Sequence, residues 1–363
     1  MKDKFMIKDY GLFTTLVASM VGIGLFYGPS FVARIVEQDS WISSVLMTIF
    51  LLIVFYMIHS LIKMNDYQGI VVILRNTYGH FWGNLIALAY SIAMIIVLSV
   101  SLRSFADVVK IFLLPKTELE VVIVLIIFVG IYLVRGGLAN LVYFNEIIFF
   151  LLFIPVTIIL LLAIPTADFQ RILPVFTHTA TEYMKGVFEL FFLVNGFCIA
   201  FVLLPLVENK KNINKILRRS TIFIGVFYTI TIILVTANLS VAQTAERIFP
   251  TITMLRSINV RSGVLERWDG LVMALWVLFY YATFVSTYYF STHMVKDIFN
   301  IEDVKIAAII YIPLVYAMAL YPENMAQIYT AGLGMFKIIF GVALIIVIFL
   351  SYFINLIKKK RSA

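Results

Sequence analysis

TTLVASMVGIGLFYGPSF, residues 14–31, and FELFFLVNGFCIAFVLLPL, residues 188–206, decide how this chain folds. Each is an apolar run long enough to cross a bilayer, and each is interrupted inside by residues that do not favour a continuous helix. The first carries Gly22 and Gly24 followed by Gly28 and Pro29; the second carries Asn195 and Gly196, with Pro205 near its end. From the helical rise, Gly22 lies roughly 18 Å from Tyr10 and Gly196 roughly 20 Å from Tyr183, so both interruptions fall near the midplane of a core about 30 Å thick. Unwinding there exposes backbone groups that lipid cannot satisfy, so a break survives only against protein or a watery cavity. The alternative is that these glycines let helices pack closely. A matched pair in corresponding helices favours the break.

Working outward, the whole chain has the same solvent requirement. Of its 363 residues 62% are hydrophobic and 13% charged, whereas soluble domains are about half apolar and about a quarter charged. Low-charge windows run from Tyr10 to Phe31, Trp41 to Ile62, Phe81 to Leu102, Glu120 to Val134 and Phe144 to Ala163. Five more run from Tyr183 to Val207, Thr221 to Val241, Trp268 to Val295, Ile306 to Leu320 and Ile328 to Ile357. The expected fold is an all-α polytopic membrane protein of about ten spans. It forms one domain with a first repeat over about 10–163 and a second over about 183–357. Because five spans is an odd number, the second repeat must insert upside down.

The larger share of the 28 Lys and Arg falls on the side bearing the N-terminus, most clearly Lys210, Lys211, Lys215, Arg218 and Arg219, then Lys358 to Arg361. The basic-residue bias predicts cytoplasmic termini. The net charge of +8 flanks spans and calls for anionic lipid headgroups rather than nucleic acid. A single cysteine, Cys198, excludes an internal disulfide and a cysteine zinc cluster. His59, His80, His178 and His293 lack metal-ligand spacing, and no hydrolase or phosphate-loop motif is present. No enzyme activity, cofactor or metal is expected.

Half-helix ends at a break can hold a carboxylate at one pole and an ammonium or metal cation at the other, a pairing that suits an amino acid. The candidate binding residues are Val21, Gly22, Ile23 and Gly24 of span one and Asn195, Gly196, Phe197 and Cys198 of span six. Tyr90 and Ser91 of span three and Tyr280 and Thr283 of span eight join them, with Gly22 and Gly196 expected to border one cavity. Taken singly, such polar residues more often pack helices than touch ligand. Thr283, Ser286 and Thr287 share a helical neighbourhood able to offer hydroxyl oxygens to a cation. Glu189 and Lys337 are ionisable residues inside spans, either paired or, for Lys337, snorkelling to headgroups. Asp107 and Arg103, one turn apart, are expected as a structural surface pair. The connection Gln243 to Arg267 mixes apolar residues with Arg247, Arg256, Arg261 and Arg267, which suits an interfacial helix or an ordinary solvated loop.

Three stretches carry a family resemblance: MVGIGLFYGPSFVARIVEQDSWIS (20–43), NGFCIAFVLLPLVENKKN (195–212) and, most specifically, RIFPTITMLRSINVRSGVLERWD (247–269). With its length and span count, the chain resembles the B subunit of bacterial spore germinant receptors, a branch of the amino acid, polyamine and organocation transporter superfamily. The resemblance implies a receptor in the spore inner membrane that binds a small nutrient, commonly an amino acid. Its partners would be a larger membrane A subunit and a lipoprotein C subunit. Where that family often has an acidic residue after the Gly-aromatic pair of span six, this chain has Cys198, which implies altered pocket polarity. The resemblance also marks the segment Gln243–Arg267; in a receptor this segment, with Arg256 and Arg261, is expected to lie on the outer face near the closing path of spans one and six and to couple occupancy to a partner. Competing functions are an amino acid–cation symporter and a structural or channel-forming subunit with no ligand.

Overall fold

The computed structural model describes residues 5–22, 24–257, 268–322 and 343–362. The first span is two helices, α1 (Asp9–Val21) and α2 (Gly24–Val36). They part at Gly22, whose φ of 45° lies where an L side chain is strained and glycine is not. The chain turns through Glu37–Asp39 into α3 (Ser40–Met64), and α4 (Ile70–Tyr78), α5 (His80–Phe112), α6 (Leu119–Arg135) and α7 (Gly137–Leu162) complete the first half. In the second half α8 (Ala180–Leu193) stops, passes through a 3₁₀ stretch at Asn195–Ile199 and resumes as the single turn α9 (Ala200–Leu203). The sixth span bends by 56° at that point. There follow α10 (Ile213–Leu239), α11 (Val241–Glu246), α12 (Pro250–Ser257), α13 (Trp268–Ile298), α14 (Val304–Ile310), α15 (Ile312–Leu320) and α16 (Ala343–Ser362). This is an all-α polytopic membrane fold of inverted-repeat type, broken in its first and sixth spans.

Four elements differ from the hydropathy windows. The short helix α4 went unanticipated because its 9 residues are too few to span; it is anchored by Arg75, which donates to the carbonyls of Asp297 and Ile298 at 3.2 Å. Helix α5 runs past Leu102, where Ser99 and Ser104 turn their hydroxyls onto carbonyls one turn back instead of needing outside partners and Arg103 pairs with Asp107 at 3.2 Å. That pair is largely buried, with side chains 10% and 15% exposed, not a surface pair. The ninth span is interrupted at Tyr311, just before Pro313, which has no N–H to continue the ladder. The described part of Gln243–Arg267 is neither an interfacial helix nor a free loop. Its Ile252, Met254 and Leu255 are buried, and Thr251 Oγ1 donates to the Leu25 carbonyl at 2.9 Å, so it packs on α2.

Apolar side chains face outward on the peripheral helices, Phe128 and Tyr132 of α6 at 72% and 80% exposure, as lipid contact requires. The interior is aromatic: Phe105 of α5 stacks on both Trp276 and Tyr280 of α13 at 4.5 and 4.1 Å between ring centres.

Both broken spans are tied at each end of the bundle. On the face bearing the N-terminus, Ile7 N–H donates to Leu206 at 2.8 Å and Glu208 N–H to Ile7 at 3.0 Å, while Asn212 bonds Asp9. On the opposite face Asp39 is fully enclosed and accepts hydrogen bonds from the Tyr183 hydroxyl at 2.6 Å, the Thr177 amide at 2.8 Å and the Phe176 amide at 3.1 Å. One carboxylate thus clasps the turn between α2 and α3 to the segment entering α8. Burial opposes its ionisation, but the bonds from Tyr183, from the Thr177 and Phe176 amides and from His178 outweigh it and hold the carboxyl below its ordinary value.

Asp39→Asn is expected to lower the thermal midpoint of the purified protein at neutral pH, corresponding to a stability loss of about 1.5–3 kcal/mol if one charge-assisted bond is lost. With the folded pKa depressed, the carboxylate's contribution is complete above the unfolded value of about 4 and disappears as pH falls through the folded value. Variant and wild type should therefore converge in acid; a gap unchanged down to about pH 3 would show that the charge does not hold the clasp.

Candidate functional site

Where α1 stops and α8 stops, the two breaks face α5 and α13 across a cavity of 40 Å³. The first span contributes Gly22, Gly24 and Tyr27, and the sixth Phe192, Leu193 and Asn195. Helix α5 adds Ser101 and Ser104, and α13 adds Tyr280, Thr283, Phe284 and Thr287. At about 10–15 Å³ of such space per water the cavity takes about three waters, so a solute enters only if the half-helices part. No charged side chain lines it among the described residues. The Thr287 hydroxyl is buried there and meets no hydrogen-bond partner among the described residues, while the Tyr280 hydroxyl is buried facing Ser101.

Of the residues singled out from the sequence, Gly22, Gly24, Asn195, Tyr280, Thr283 and Thr287 converge on this cavity. Val21 adjoins it, its carbonyl accepting from the Tyr228 hydroxyl at 2.9 Å. The others stand elsewhere. Gly196 is a close-packing glycine: a Cβ there would fall on the Ser19 carbonyl oxygen. Phe197 packs against Phe55 and Phe191. Cys198 is buried with its Sγ 3.1 Å from the Tyr90 hydroxyl, and neither lines the cavity, so Cys198 leaves its polarity untouched. Ser91 bonds the Ser291 carbonyl and the Tyr311 hydroxyl, joining α5 to α13 and to the interruption between α14 and α15. Ser286 donates to Ala282 within its own helix. Glu189 is half-buried on α8 away from the cavity, and Arg256 is exposed at the end of α12. Ile23, Arg261 and Lys337 lie outside the described residues.

Sequence reasoning missed Tyr27, Phe192, Ser101, Ser104, Phe284 and, above all, Tyr228. The signal for Tyr228 was present: a phenol midway along an apolar span needs a buried partner, and here it is fully buried. It also explains Gly24, where a Cβ would stand 2.8 Å from the Tyr228 oxygen and 2.7 Å from Leu193 Cβ.

Paired breaks around a small cavity with a few hydroxyls among apolar walls define a membrane protein of the solute-carrier fold. The chain is similar in structure to MhsT in complex with L-phenylalanine, with a TM-score of 0.70 and 14% identity over 97% of this chain and 89% of that one. A Na+-coupled sialic acid symporter in a substrate-bound outward-open state matches with a TM-score of 0.67 and 12% identity, over 93% of this chain and 78% of that one. By sequence the chain belongs to the spore germination protein family, whose profile matches residues 6–328. Spore germination protein A2 of Bacillus subtilis (strain 168) is 26% identical over 94% of this chain and 93% of its own length. Spore germination protein B2 of the same organism is 23% identical over 94% and 93%.

Gly24→Ala is expected to push the Tyr228 hydroxyl off Val21 and destabilise the protein by about 1–3 kcal/mol through overpacking. Thermal unfolding of purified protein checks this; an unchanged midpoint would mean that α2, α8 and α10 do not meet as closely as described.

Proposed function

We propose that this protein is the nutrient-sensing B subunit of a spore germinant receptor. It would bind a small germinant of the amino acid class between its broken spans and pass a change of helix packing to a membrane A subunit and a lipoprotein C subunit. It would sit in the spore inner membrane with both termini cytoplasmic. The observation that carries this reading is the cavity at the paired breaks, in a chain of the spore germination family, with the Thr287 hydroxyl unpartnered inside it.

The chemistry suits a zwitterion. The first turn of α2 presents amides and a positive dipole end to a carboxylate, and the last turn of α8 presents carbonyls to an ammonium. Hydroxyls of Tyr280, Thr283 and Thr287 orient the polar end, and Phe192 and Phe284 cover an apolar side chain. Outward transmission would run through the segment ending in Arg256. Its Ala245 carbonyl accepts from Arg34 at 2.8 Å and from Ser30 at 3.2 Å, so parting of α2 from α8 moves it.

A thermal-shift screen of the purified protein against amino acids, sugars and nucleosides tests the binding. A germinant at about 100 times its Kd should stabilise by about 2.7 kcal/mol; no shift with any of them would sink the reading. Ligand-driven uptake by reconstituted vesicles would instead favour a symporter, the activity named for one structural neighbour.

The coupling role predicts that Arg256→Ala weakens germination at saturating nutrient while leaving direct ligand affinity unchanged, because Arg256 stands outside the cavity. Parallel loss of affinity, or an unaltered response, would count against it. Arg261→Ala is expected to behave in the same way.

A further inference from the structure

A helix that stops leaves its last four carbonyls without intrahelical partners. In α1 these belong to Ala18, Ser19, Met20 and Val21. Carriers of this fold commonly give such midplane carbonyls to a coupling cation, and one structural neighbour is Na+-coupled. Here the protein's own groups stand against all four, two of them as hydroxyl donors. Thr283 Oγ1 of α13 donates to Ala18 at 3.3 Å. The Ser19 oxygen lies against Gly196, where a Cβ would fall on it. The Tyr228 hydroxyl of α10 donates to Val21 at 2.9 Å and reaches the Met20 oxygen at 3.5 Å.

These residues do not fit a sodium site. A cation and a hydroxyl proton compete for the same carbonyl lone pairs, and a cation approaching Val21 would meet the positive end of the phenol O–H dipole. No group of three or more acidic, His or Cys side chains able to hold a metal occurs among the described residues.

We propose that the Tyr228 hydroxyl is a built-in substitute for a coupling cation: it closes the break in span one, and the folded protein is indifferent to alkali cations. Gly24 keeps the space in which the phenol stands. The inference concerns the break alone and holds whether or not the bound nutrient is an amino acid.

The test is thermal unfolding of the purified full chain, free of nutrient, in sodium, lithium, potassium and choline chloride at equal ionic strength. Wild type should give one midpoint in all four salts. Tyr228→Phe removes only the hydroxyl and should unfold about 2–4 °C lower in choline, the scale of one lost buried hydrogen bond. It should also gain a sodium or lithium response, because the vacated carbonyls become free to take a cation. Selective stabilisation of wild type by sodium or lithium overturns the proposal. So does a Tyr228→Phe protein that matches wild type in choline, or one that is less stable yet as indifferent to cation, which reduces Tyr228 to a packing contact. If that variant does not fold, the wild-type series still decides, with Thr283→Val, which frees the Ala18 carbonyl, as the second variant expected to gain a cation response. Nutrient-free unfolding keeps a failure here distinct from a failure of the ligand screen.

Discussion

Four backbone carbonyls at the end of α1 must find partners in a place where water is scarce, and much of the surrounding architecture follows from that requirement. Lipid offers no donor, so helices must gather around the break. The groups that arrive come from far along the chain: Tyr228 from α10, Thr283 from α13 and Gly196 from the sixth span. Each fixes one neighbour against the first span. Gly24 and Gly196 are then glycines because of what lies against them, whereas Gly22 is a glycine because of its own backbone angle. Three glycines that look alike in sequence answer to two different constraints.

A break weakens a helix as a strut, and the ties at its ends compensate. Ile7 and Val207 pair as a two-residue bridge on one face. Asp39 clasps the other, collecting donors from residues more than 130 positions away. The segment containing α11 and α12 braces the middle of α2 through Thr251, Ser30 and Arg34. The half-helices α2 and α8 are thereby held around a cavity too small for a solute, and any ligand must work against these ties. Under the proposed sensor reading, occupancy would be read as strain in the clasp and brace.

The cavity's chemistry narrows what it would accept. Hydroxyls and backbone ends supply its polarity, and aromatic rings supply its walls. A ligand carrying both charges in balance loses less on entering than one with a net charge, because an isolated charge would have no counter-charge among the described lining residues. The likeness to solute carriers concerns the fold, and function resides in the site. Within a shared fold, covering the break's carbonyls with the chain's own hydroxyls separates the handling of solute from the handling of ions.

Composition and periodicity determined that the chain lives in a membrane, that it is helical throughout its long elements, and that its first and sixth spans are interrupted. These are local properties: apolar length, glycine in a helix interior and proline near a helix end all act within a few residues of themselves. The same locality accounts for the misses. α4 is too short for a span window, the extension of α5 is built from polar residues that hydropathy discounts, and Tyr90, Ser91, Phe197 and Cys198 look as suitable for a site as Thr283 does. Which hydroxyl meets which carbonyl depends on pairs such as Tyr228 with Val21 and Thr283 with Ala18, separated by more than 200 residues. Only packing the two halves together decides those pairs, because a buried polar group must be satisfied by whatever the fold places beside it, and chain order carries no record of that neighbour.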